Sequence, residues 1–165
     1  MDKIDIYKAD GTLSDQRISC GDSIPSGCFI RVADVCFVNS KKEFLLQKRR
    51  SDDSFCPSMW GLTGGGLLAG ETPVQGLIRE TAEEIGIQLN PRLLTLIHTY
   101  KINSIWVDVF LSPQEFSHQD MIIQTSEMTK AIWIPLPKVK KIIGSDQFVP
   151  FLKPALEKII SIIDK

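Results

Sequence analysis

The sequence predicts an α/β fold in which a mixed sheet is covered by helices on both faces. Two observations carry this. Runs rich in β-branched and aromatic residues recur along the chain, notably 28–38 and 105–112. Between and after them stand segments with apolar residues at helical spacing, at 73–85 and from Pro154 onward. Strands interleaved with two or three helices bury their apolar faces as layers.

In chain order, residues 3–7 and 16–19 read as short extended pieces around the Ala9-Asp10-Gly11 turn, and 22–27, with Pro25, as a connector. Residues 28–38 form a buried strand. Asn39 to Lys42 make a polar turn into a strand at 43–48, so the two are expected to pair as a hairpin. Residues 49–57 are a polar loop leading into Met59-Trp60-Gly61-Leu62-Thr63-Gly64-Gly65-Gly66, where three glycines permit close backbone approach. Thr72 and Gln75 make a capping box around Pro73 at the first helical position. In the helix that follows, Val74, Leu77, Ile78, Thr81 and Ile85 form the apolar face. A strand pair spans 93–100 and 105–112 about Asn103-Ser104, and a short strand covers 131–134. Helices are expected over 137–143 and from Pro154, the latter with Leu156, Ile159, Ile160 and Ile163 on one face. With no repeat or low-complexity linker, residues 1–165 read as a single domain.

Glu80, Glu83 and Glu84 fall within an arc of about 100° opposite that apolar face. Like charges at such spacing weaken a helix by a few tenths of a kcal/mol per pair. A hard divalent cation supplies the missing compensation, because Mg2+ takes oxygen ligands from a few carboxylates and from substrate phosphates. The bland alternative is a solvated acidic face.

Residues 65–87 decide between them. Gly65, Glu71, Arg79-Glu80, Glu83-Glu84, Gly86 and Ile87 stand at the spacing G-x5-E-x7-R-E-U-x-E-E-x-G-U, where U is bulky and apolar. This resembles the Nudix box, with one departure, Thr81 at the first U. Thr81 lies on the core side, so the departure touches packing, and its hydroxyl is expected to bond back to the carbonyl of Leu77. The resemblance implies an α/β/α sandwich with the box as loop-helix-loop. It also implies hydrolysis of a diphosphate, typically a nucleoside diphosphate linked to another moiety, with Mg2+ or Mn2+. Glu80, Glu83 and Glu84, with the carbonyl of Gly65 or Gly64, would be metal ligands, and Glu83 and Glu84 also catalytic. Arg79 and Glu71 would brace the carboxylates. The general base would be a box glutamate, Glu127 or Asp108. Lys48, Arg49 and Arg50 would meet substrate phosphates. Trp60 would stack on a base, although core packing is the commoner role of a Trp.

The segments LLQKRR and Pro57-x-x-Trp60 are similar to the branch containing isopentenyl-diphosphate isomerases, which makes isomerase one alternative. That chemistry needs a cysteine before a Gly-His-Pro-like turn and histidine ligands. Here those places hold Leu62 to Gly66 and Phe29, and Cys56 comes too early. A non-catalytic ligand-binding Nudix fold, the other alternative, would require a degraded box.

Composition narrows the rest. A net charge of −1 gives no broad surface for nucleic acid or anionic membrane. No apolar run approaches the ~20 residues of a membrane span. The amino terminus lacks a signal-peptide layout, so the expected location is cytoplasmic. Cys20, Cys28, Cys36 and Cys56 form no C-x-x-C pair, and His98 and His118 are isolated, which removes zinc, thioredoxin-like and Cys-His readings. The expected partner is a small-molecule diphosphate, and a homodimer stays open.

Overall fold

The computed structural model describes residues 1–165. Nine strands form two sheets: β1 (Lys3–Lys8), β2 (Leu13–Ser19), β3 (Cys28–Phe37), β4 (Glu43–Arg49), β5 (Trp60–Gly61), β6 (Thr63–Gly66), β7 (Thr95–Ile102), β8 (Ile105–Ser112) and β9 (Met128–Pro135). The larger sheet runs β2-β1-β3-β8-β7, with β6 also paired to β3, and it is mixed because β3 and β8 are parallel. The smaller one, β5-β4-β9, is antiparallel. Helices α1 (Pro73–Ile85), α2 (Leu136–Ile143) and α3 (Lys153–Ile163) complete the layers.

Strand alternation sorts the core into two halves. Ala33, Val35 and Phe37 of β3 join Leu45, Leu77 and Ile85 under α1. Cys36 and Val38 join Phe44, Leu46, Val107, Val109 and the buried faces of α2 and α3 on the other side. Expected elements are present, with longer β2 and β9. The expected β3–β4 hairpin is not. The two strands share one bridge, Val38 to Phe44, and then diverge into different sheets. The reason is β4 itself: Phe44 to Gln47 are buried on both faces, and β5 and β9 take its two edges.

Helix α1 starts as its sequence dictates. Thr72 Oγ1 accepts from Gln75 N at 3.2 Å, Gln75 Oε1 accepts from Thr72 N at 2.9 Å, and Gly86 closes the end at φ 69°. Two details depart from expectation. Glu84 is buried together with Leu77, Thr81 and Ile85, although the helical wheel sets it opposite the apolar face. Thr81 is fully buried, and its hydroxyl has no hydrogen-bond partner, so the bond to Leu77 is not made. An unpaired buried hydroxyl costs about 1–3 kcal/mol. Thr81→Val, which removes it at similar volume, should therefore stabilise the protein by about 1 kcal/mol. In urea the midpoint should rise with no change of slope.

Candidate metal centre and active site

The end of β4, the glycines of β6 and the outer side of α1 meet the loop before β9. There the ligand oxygens of Glu80, Glu84 and Glu127 lie within 4.8 Å of one another. Glu84 is 6% exposed, and its Oε2 accepts from Gln47 Nε2 and from Gly64 N, each at 3.1 Å. Gln47 also donates to Thr63 Oγ1 at 2.8 Å, which locks its amide. Gly65 lies against Glu80: a Cβ there would sit 2.7 Å from Glu80 Oε1.

Arg79 organises the solvent side. It grips Glu71 with two parallel bonds, Nε to Oε1 at 2.7 Å and Nη2 to Oε2 at 3.0 Å. The same guanidinium reaches Gly66 O, Glu80 Oε1 and Glu83 Oε2 at 3.0, 2.8 and 3.2 Å. Glu71 also accepts from Leu68 N, tying the loop ahead of the helix to the same cation. Hydrogen bonding to Arg79 holds the Glu71 carboxyl below its ordinary value. Glu83, whose side chain is 55% exposed, stands outside the three-carboxylate group.

Burial pushes the Glu84 carboxyl well above its ordinary value and raises that of Glu80, with neighbouring carboxylates adding to both. Asp34 on β3, 5% exposed, is raised to about 7 by burial and then by Glu80. Sequence reasoning missed Asp34 and Gln47. The visible signal for Asp34 was a lone carboxylate inside an apolar strand run.

A polar cavity of about 670 Å³ opens beside the carboxylates, lined by Glu84 and Glu127 together with Gln47, Arg49 and Arg50. Both arginines reach it, but neither is loose. Arg49 donates to Asp53 and to Phe55 O, while Arg50 pairs with Asp52 and donates to Thr125 O at 2.7 Å. Trp60 does not line it. That ring is 8% exposed within the core, because β5 is enclosed between β4 and the turn at Phe148, so it cannot stack on a ligand at the carboxylates. Lys48 and Lys130 lie over its faces at 5.1 and 5.4 Å. Asp108 is likewise engaged elsewhere: buried, it accepts from Arg31 and from Thr99 Oγ1.

The model of the NUDIX domain matches residues 29–156. The chain belongs to the Nudix family. Among curated Nudix relatives, an uncharacterised Nudix hydrolase of Listeria innocua is 26% identical over 152 residues, covering 92% of this chain and 90% of its own. A nucleoside triphosphatase, NudI of an Enterobacter species, is 41% identical over 56 residues, covering 33% and 40%. The Nudix architecture also matches the crystal structure of DR0079 from Deinococcus radiodurans, with TM-score 0.71, 16% identity, and 90% and 93% of the two chains covered. Among this Nudix chain's helices, none is long and apolar enough to cross a membrane.

The carboxylates raised by burial bear on stability. Their folded-state values exceed the unfolded one, so the stabilisation they provide is complete below about 4.5, the ordinary Glu value, and fades as pH rises through the folded values. A cation bound by the ionised forms reverses this. Added Mg2+ should therefore raise the melting temperature more near about pH 8 than near about pH 5, with protons released on binding. Calorimetry in two buffers of different ionisation enthalpy checks it.

Proposed function

We propose that residues 1–165 act as one Nudix hydrolase domain that cleaves a diphosphate linkage, in a nucleoside diphosphate derivative, by attack of water at phosphorus. The observation that carries this is the convergence of Glu80, Glu84 and Glu127 beside a polar cavity bordered by two arginines. Three carboxylates, graded from buried Glu84 to exposed Glu127 and repelling one another, form an all-oxygen donor set that suits Mg2+ or Mn2+. Glu80, Glu84, Glu127 and the Gly65 carbonyl would hold it. When bound, such a cation neutralises charge on phosphate oxygens and acidifies water.

The chain's own residues do the rest. Gln47 and Gly64 fix the Glu84 carboxylate so that it need not reorganise. Arg79 keeps Glu80 in place and ties Glu71 and Gly66 to it. Arg49 and Arg50 present positive charge to the phosphates, held in position by Asp53 and Asp52. Glu127, the exposed member of the group, accepts the proton of the attacking water. Glu83 acts at the rim, through water. The resemblance to NudI, named as a nucleoside triphosphatase, supports a nucleoside on the substrate. Isomerase chemistry gains nothing: Cys56 does not border the polar cavity, and burial pushes its thiol up.

Incubation with Mg2+ and a panel of diphosphates in heavy-oxygen water should yield two phosphate-bearing products, one carrying the label. Absence of turnover across the panel with both Mg2+ and Mn2+ sinks the proposal.

A further inference from the structure

Beside the polar cavity lies a second recess of about 200 Å³, between the glycine-rich strand and the Pro150–Leu152 turn. The two share Gln47, Arg49 and Glu84 in their walls, which sets the recess next to any phosphates held at the carboxylates. Its character is different. Val32, Leu62, Val149 and the rings of Phe55 and Phe151 line it, the rings 5.8 Å apart and tilted by 44°. Phe55 is 47% exposed at one side.

One polar side chain on this apolar floor lacks a partner. Asp34 Oδ2 is buried with no hydrogen bond. The groups that might have satisfied it are engaged: Arg49 with Asp53 and Phe55 O, and Tyr100, whose hydroxyl donates to the Phe151 carbonyl and so pins the turn. Native proteins rarely leave a buried carboxylate oxygen unpaired, because its lost hydration is uncompensated. An alkyl chain filling the recess would leave Oδ2 unpaired, and a phosphate there would face a carboxyl. A flat ring with an N–H at its edge suits both the apolar walls and the Asp34 carboxyl, which lines the recess with no hydrogen bond of its own.

We propose that Asp34 is a specificity-determining residue, accepting a hydrogen bond from a ring or exocyclic N–H of a heterocycle on the substrate, which Phe55 and Phe151 flank. This rests on the diphosphate reading for the position of the phosphates. In either protonation state Asp34 offers an acceptor oxygen.

Binding separates the two readings from each other. Calorimetry with Mg2+ compares methylene-bridged nucleoside triphosphates carrying adenine, guanine, cytosine or uracil with methylene-bridged ribose triphosphate lacking a base. The best base-bearing analogue should bind about tenfold or more tighter than the abasic one, and Asp34→Val, which removes the acceptor oxygens, should reduce that ratio to below about threefold. Phe55→Ala, at an exposed side chain that the fold does not need, should reduce it about fivefold or more. Equal binding of base-bearing and abasic analogues overturns the proposal, as does a folded Asp34→Val protein that keeps the ratio. Should Asp34→Val not fold, an unchanged ratio in Phe55→Ala overturns it. Base-selective binding without turnover of any cleavable nucleotide would leave Asp34 its role and remove hydrolysis. Turnover that ignores the base would do the opposite.

Discussion

Glu84→Gln should leave a folded protein with turnover reduced by about a thousandfold or more, the scale expected when several kcal/mol of charge stabilisation is removed. Gln keeps an oxygen that can accept from Gln47 and Gly64, so the local scaffold survives. What disappears is the buried negative charge. Because burial already raises the Glu84 carboxyl well above its ordinary value, the neutral variant should be at least as stable as the metal-free parent at about pH 8. Glu83→Gln provides the contrast. Its side chain is 55% exposed and touches Arg79 at 3.2 Å, so a loss of about tenfold is expected. Steady-state kinetics with chemical denaturation of both variants checks this. Equal losses in the two, or an unfolded Glu84→Gln protein, would show the helix face to be structural.

The three consecutive glycines should respond to alanine in three different ways. At Gly64 (φ +154°) a Cβ would lie 2.1 Å from Ala33 O and 2.7 Å from Asp34 Cα, both backbone atoms of the paired strand. Backbone cannot step aside cheaply, so Gly64→Ala should cost about 3 kcal/mol or more, or prevent folding. At Gly65 the obstacle is the movable tip of Glu80, so Gly65→Ala should fold while losing metal affinity and turnover. Nothing lies within 4 Å of a Cβ at Gly66, and Gly66→Ala should stay within about 0.5 kcal/mol of the parent. Thermal melts with and without Mg2+ distinguish all three, and a harmless Gly64→Ala would refute the strand pairing.

Local signals in this chain were strong where the physics is local. The Thr72–Gln75 box, Pro73 and Gly86 bound α1 in sequence and in structure alike, because caps involve residues a few positions apart. Enrichment in β-branched and aromatic residues likewise placed β3 and β8. The split of β3 and β4 into two sheets was not readable, since the short polar turn after Val38 suits a hairpin and the competing partners, β6 and β9, lie far along the chain. For the site, Glu80 and Glu84 followed from spacing. The arrival of Glu127 beside them depends on a loop docking across β4, where Arg50 holds Thr125 O, and no spacing rule encodes that. Trp60 and Asp108 illustrate the converse, residues of suitable chemistry whose strands turn them elsewhere.

The shared wall of the two cavities has a bearing on descent with modification. Of the groups proposed to hold cation and phosphate, Glu80, Glu84 and Gly65 belong to the box, while Arg49, Arg50 and Glu127 stand outside it. The recess draws Val32, Asp34, Phe55, Val149 and Phe151 from segments outside the box. Exchanges at those five positions can retarget the protein to another molecule while the cutting apparatus is inherited intact. Gln47, Arg49 and Glu84 border both spaces, so an exchange at any of these three should alter selectivity and turnover together.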